Sequence, residues 1–153
     1  MDTLDYKIIQ ALMHNGRMTW SELAGVLGLS SPAAADRVRR LEEQGVITGY
    51  TAIIHAESVG CDLAALIAVS LEKPEHREAF LTKINTMSEI QECHHTAGDE
   101  DYLLKVRCRG TKDLERIISQ ELKTLPGILK TKTTIILSTV KETSNLPLFR
   151  EGL

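Results

Sequence analysis

Thr19–Tyr50 reads TWSELAGVLGLSSPAAADRVRRLEEQGVITGY: two short amphipathic segments joined at Gly28-Leu29-Ser30, the second carrying three arginines before Gly45. Thr19 and Glu22 stand three apart, the spacing at which hydroxyl and carboxylate each satisfy the other residue's orphan backbone N–H. The helix they open buries Leu23, Ala24 and Leu27, and Gly28 permits a sharp turn. Ser31 is the expected N-cap of the next helix, with Pro32 at the first helical position, where a missing N–H costs nothing. Its apolar stripe is Ala34, Val38 and Leu41. Ala33, Asp36, Arg37 and Arg40 are expected on the opposite face, with Arg39 to one side. A capped helix, glycine turn and second helix with small residues at its start form the layout of a helix-turn-helix, whose second helix fits the DNA major groove. Double-stranded DNA is the implied partner.

Charge alone makes no such case. The 153-residue chain has a net charge of −3, and residues 1–50 hold five Lys/Arg against six Asp/Glu. Affinity for DNA must come from where the arginines sit and from several reading heads acting together. The three cysteines form no CxxC pair, so neither a disulfide framework nor a zinc knuckle is indicated. The first residues, MDTLDYKIIQ, lack the apolar stretch of a signal peptide, and no run is long enough to span a bilayer. A cytoplasmic location, with no membrane association, is the expectation.

Working outward, Leu4, Ile8 and Leu12 with Ile9 and Met13 predict a first helix ending at Asn15-Gly16. Val46–Ile54 is β-branched and reads as a strand linker. The second half predicts strands at Leu63–Leu71, Ile90–Ala97, Tyr102–Arg109 and Ile128–Val140. Helices are predicted at Glu75–Thr86 and at Thr111–Leu122, the latter N-capped by Thr111. Phe80, Ile84 and Met87 should face inward on the first helix, and Leu114, Ile117, Ile118 and Leu122 on the second. The order βαββαβ is a ferredoxin-like plan, with both helices on one face of an antiparallel sheet. Leu63–Leu71 is apolar at both parities, so the other face should also be covered, most simply by a second copy. The expected domains are residues 1–50, a linker at 51–60, and 61–153.

Two constellations invite chemistry. The turn Gly98-Asp99-Glu100-Asp101-Tyr102 has the composition of an ordinary hairpin turn, but its N–H groups and acidic side chains also suit a zwitterion. Cys93-His94-His95 alternates faces along a strand, so the two histidines cannot converge on one ion, and no metal site is expected.

The stretches LDYKIIQAL, NGRMTWSELAGVLGLS, RVRRLEEQGVITGYTA, EIQECH, GDEDYLLKVR and LPGI, in this order and spacing, carry a resemblance over nearly the whole chain. The chain resembles the Lrp/AsnC, or feast/famine, transcriptional regulators, most closely their leucine-responsive branch. The resemblance implies an α+β chain, with an N-terminal winged helix-turn-helix and a C-terminal ferredoxin-like, amino-acid-sensing βαββαβ domain. It implies a homodimer assembling to an octamer, no catalytic residues, no cofactor, and an amino-acid effector such as leucine or another apolar amino acid. By position, Ser31, Ala33, Asp36, Arg37 and Arg40 take the DNA-facing role. Gly98, Asp99, Asp101 and Tyr102 take the effector role, with Thr131 and Thr133 as further candidates. Ala33-Ala34-Ala35 and Asp36 depart from the usual recognition helix. Sirohaem decarboxylases share the two-domain plan and stand as the enzyme alternative, with His94 and His95 open to recruitment.

Overall fold

The computed structural model describes residues 1–149. The chain divides into two compact units, one spanning Ile54–Val140 and the other Met1–Ile53 with the segment that begins at Lys141.

In the N-terminal unit, α1 (Thr3–His14) starts at Asp2, whose carboxylate accepts from the N–H groups of Leu4 and Asp5, while Asp5 returns a bond to Asp2. Helix α2 (Trp20–Leu27) opens with the predicted Thr19–Glu22 box and closes at Gly28, whose φ of 68° is the left-handed conformation that glycine adopts without strain. Helix α3 (Ser31–Glu43) begins one residue earlier than expected. Ser30, not Ser31, is the N-cap, its hydroxyl accepting from the N–H of Ala33 at 3.4 Å. Either serine has the chemistry. The turn places Ser30 in the extended conformation and Pro32 second in the helix, where the N–H is still an orphan. Ile8, Leu23, Leu27, Ala34, Val38 and Leu41 form the buried centre shared by the three helices.

Residues 46–55 make no strand among the described residues, and Glu57–Val59 is a 3₁₀ turn, so the linker is not the strand expected of it. Its β-branched residues favour extended backbone, but a strand needs a neighbour to complete its ladder. Ile53 and Ile54 are left exposed. Near its start the segment is pinned to α3 by Tyr50, whose hydroxyl donates to Glu42 at 2.8 Å.

The second unit is the βαββαβ plan. Strand β1 (Leu63–Leu71) leads through a 3₁₀ turn at Pro74–His76 into α4 (Arg77–Thr86). Then come β2 (Ile90–His95), β3 (Tyr102–Cys108), α5 (Thr111–Arg116, continued by a π-helical turn at Ile117–Leu122) and β4 (Ile128–Ile136). The strands lie in the order β2-β3-β1-β4, every neighbouring pair antiparallel. The expected N-cap at Thr111 is instead the helix's first residue, and Gly110 occupies the cap without a side-chain bond. The π turn, with Lys123 N–H donating to Ile118 five residues back, brings both Ile117 and Leu122 into the core, while Ile118 is only partly buried. Three strands end earlier than the sequence suggests, β3 by the single residue Arg109. Beyond His95, Thr96 leaves the ladder because its N–H and hydroxyl close the turn onto the carbonyls of Asp101 and Glu100. Strand β4 stops at Ile136, opposite Ala64, one residue short of the start of β1 at Leu63.

Ala65, Ile67 and Val69 of β1, with Tyr102, Leu104 and Val106 of β3, lie under Phe80, Ile84, Leu114, Ile117 and Leu122. Alternation puts the rest of the central strands on the sheet's other face: Ala64, Leu66 and Ala68 in line with Arg107, Lys105 and Leu103, and with Ile136, Thr134 and Lys132. That face is apolar along β1 and at Leu103, with Arg107 and Lys105 beside β1 on β3 and Glu92 on the β2 edge paired to Lys105.

Candidate DNA interface and effector turn

Helix α3 presents Pro32, Ala33, Arg39 and Arg40 to solvent, with Ser31 and Asp36 partly covered. Small side chains in the first turn let the helix end approach base edges, and the arginines lie one to two turns further on. The structure corrects the expected position of Arg37. At 100° per residue it stands beside the buried stripe, not opposite it, and its side chain is only 25 % exposed. It turns toward α1, donating to Asp2 at 2.8 Å and to Asp5 at 2.9 Å. The hydrogen bond to Asp2, aided by both carboxylates' charge, raises the guanidinium pKa above its ordinary value. Arg37 thus clamps the start of α1 to the middle of α3.

The outward charges form a second set. Asp36 receives Arg39 on one carboxylate oxygen and Arg40, at 2.9 Å, on the other. The bond from Arg40 is the chief reason its carboxyl lies below the ordinary range. Arg39 is therefore part of the outward face, although its spacing placed it to one side. The acidic residues of α1 were the available sign that Arg37 had an internal partner.

The effector candidates are brought together only in part. Gly98 and Asp99 are exposed at the turn's tip, and a Cβ added to Gly98 meets nothing within 4 Å. Asp101 fastens the turn to β1: its carboxylate accepts from Leu71 N–H at 2.7 Å, and its own N–H donates to Val69 at 3.0 Å. Tyr102 is no surface residue. Its ring lies in the core between Phe80 and His95, with centroids 4.9 and 5.1 Å away, and its hydroxyl is buried without a hydrogen-bond partner among the described residues. Thr131 and Thr133 pair with Val69 and Ile67, so they share the helix-covered side of the sheet, on edge strand β4. Tyr102, Val69 and Thr131 form one row across three strands, which puts Thr131 about 10 Å from Tyr102. Two surface clefts lie elsewhere: one of about 620 Å³ along the flank of α4, the other of about 150 Å³ around Arg37.

His94 pairs with Glu92 at 3.0 Å, whereas His95 stacks on Tyr102 from the opposite face. Among the described residues no three His, Cys, Asp or Glu side chains gather as metal ligands.

A capped helix-turn-helix with an outward arginine face, in one chain with a ferredoxin-like unit, defines a DNA-binding transcriptional regulator. The description "Winged helix-turn-helix DNA-binding" matches residues 1–48, and "Lrp/AsnC ligand binding domain" matches residues 64–146. The chain belongs to the Lrp/AsnC family of transcriptional regulators. It is 37 % identical over 150 residues to the leucine-responsive regulatory protein of Haemophilus influenzae, covering 97 % of this chain and 90 % of that protein. A transcriptional regulator of Neisseria meningitidis, solved in complex with L-methionine, superposes with a TM-score of 0.93 at 30 % identity, over 96 % of each chain. A feast or famine regulatory protein of M. tuberculosis, also complexed with L-methionine, gives 0.88 at 36 % identity, over 95 % of this chain and 97 % of that one. These relatives are named as regulators, and the sirohaem-decarboxylase alternative finds no support among them.

Proposed function

We propose that this regulator reads DNA through the outward face of α3 and that an apolar amino acid, leucine or methionine, sets its assembly or DNA binding. Ser31, Ala33, Asp36 and Arg40 form the reading face, with Arg39 beside them. Arg37 contributes by holding α1 against α3. The observation that carries the reading is this helix: capped at Ser30, packed through Ala34, Val38 and Leu41, and turning two arginines outward.

The effector site is built on Gly98, Asp99 and Asp101, with Thr131 and Thr133 near the same end of the sheet and Tyr102 supporting the turn from beneath. The L-methionine complexes of two structural neighbours support an amino acid of this kind. An exposed turn of this sort holds a small zwitterion only when a second surface closes over it. The site is therefore completed by another copy of the chain. The open sheet face, with Leu66 at its centre, supports a homodimer, and contact through the effector turns extends dimers to an octamer. Among the described residues no helix is long and apolar enough to cross a membrane. A DNA-reading protein of this kind works in the cytoplasm.

Each dimer presents two copies of α3 to half-sites about one DNA turn, ~10 base pairs, or a multiple of it apart. The test combines band shifts on the chain's own upstream region with melting curves across the twenty amino acids. A ligand that binds only the folded assembly raises Tm by mass action. Expected are retarded complexes that Arg40→Ala weakens, and a rise in Tm confined to apolar amino acids. A chain indifferent to duplex DNA at low ionic strength overturns the DNA assignment, and a flat amino-acid profile overturns the effector assignment.

A further inference from the structure

Asp36 is the residue of α3 that the DNA reading explains least: a carboxylate on a surface meant to approach phosphates. Its geometry supplies an explanation. Both oxygens are engaged, one by Arg39 and one by Arg40, from one turn further along the same helix. Arg39 also lies 3.8 Å from Glu43, and Arg37 is committed to Asp2 and Asp5. Every arginine of the recognition helix is thus ion-paired before DNA arrives, Arg39 and Arg40 sharing Asp36.

We propose that Asp36 is a specificity-determining positioning residue, which competes with phosphate for Arg39 and Arg40 and holds Arg40 ready for a base edge. This inference rests on α3 being the DNA-reading helix. Non-specific affinity comes from cations that replace the condensed counter-ions along the phosphates. A guanidinium already neutralised by a carboxylate gains little from a passing phosphate, since it exchanges one anion for another. At a matching site the balance differs. A guanine offers two acceptors to a guanidinium whose remaining N–H groups are free, and a cytosine N4 amino group gives the carboxylate a donor. The Asp36–Arg40 pair then persists in the complex and gains partners on the bases. Asp36 thereby depresses binding to the wrong sequence more than to the right one, which is how a repulsive element creates discrimination. The nearly neutral charge of residues 1–50 follows the same logic.

The test uses the full-length chain, a random-sequence duplex of about 30 base pairs, and the duplex pool that the wild type enriches from a random library. Asp36→Asn keeps shape and removes charge, Asp36→Glu keeps charge, and Arg40→Ala removes the reader. Asp36→Asn is expected to bind the random duplex about three- to tenfold more tightly at 0.1 M salt. Its log–log salt slope should steepen by about one to two, one increment for each arginine released to phosphate. The preference for the enriched pool over the random duplex should fall by at least the same factor, and Asp36→Glu should restore it in large part. A purely structural role for Asp36 does not move the salt slope. An Asp36→Asn protein with wild-type slope and wild-type preference overturns the inference while leaving the DNA reading in place. A wild type that retains no duplex in the library overturns the DNA reading and the inference with it.

Discussion

Asp101 braces its turn and, in the proposed effector site, has a second role; two substitutions separate the two. As a brace, its carboxylate accepts from Leu71 N–H at 2.7 Å in a partly buried position. In the proposed effector site, it would offer negative charge to the ammonium of an amino acid. Asp101→Ala removes both. A hydrogen bond to a charged group contributes about 1.5–3 kcal/mol. At roughly 2–4 °C per kcal/mol for a chain of this size, Tm of the ligand-free protein should fall by about 3–12 °C. Asp101→Asn keeps an oxygen acceptor at the same place, so a neutral bond of about half the strength survives and the fall should be about half as large. Ligand response follows a different order: Asn and Ala should both abolish the apolar amino-acid shift in Tm, because neither carries charge. Scanning calorimetry with and without leucine or methionine reads both effects. An unchanged Tm in Asp101→Ala refutes the brace, and a full ligand shift in Asp101→Asn refutes the ammonium role.

Gly127 has φ 78°, and a Cβ there would lie 2.1 Å from the His76 ring. Gly127→Ala should therefore cost about 2–4 kcal/mol, from left-handed strain and overpacking together, and a wild-type melting curve would falsify that contact. Asp113 is held down to about 2, first by its hydrogen bond from the Arg109 side chain, then by the Arg109 N–H and by Arg116. Its folded pKa is depressed, so its contribution is complete above the ordinary value near 3.8 and is lost as pH falls toward 2. An NMR titration of its carboxyl carbon should show the low midpoint, and a midpoint near 3.8 counts against the pairing. Leu66→Glu, at the centre of the open sheet face, should convert the proposed dimer into monomers in light scattering. Unchanged mass would show that copies associate elsewhere.

What could be read from the chain, and what could not, divides along physical lines. Local rules carried the helix-turn-helix. A box at Thr19–Glu22 and a left-handed glycine at Gly28 are satisfied within a few residues, so neighbours suffice to reveal them. Strand positions followed from alternation, and their ends did not: β2 stops because the turn claims the N–H and hydroxyl of Thr96 for Asp101 and Glu100. Arg37 shows the limit most clearly. Sequence placed it on α3, but only the approach of α1 decides that it meets Asp2 and Asp5 instead of solvent. Tyr102 is similar. It adjoins the exposed turn in sequence, yet one step of the pleat sends its ring under the helices beside Phe80. The choice between Ser30 and Ser31 as cap turned on backbone conformation, which two adjacent serines do not disclose.

The stitching of the Gly98–Tyr102 segment to β1 has a consequence for how such a sensor answers its effector. A loop already ordered by Val69, Leu71 and its own Thr96 bonds has little entropy left to surrender when a small molecule arrives. Local ordering is thus a poor source of signal here, and in the proposed assembly the response comes from which copies touch. Dose–response curves should then slide along the effector axis as total protein is diluted, a behaviour that an isolated, self-contained receptor does not show.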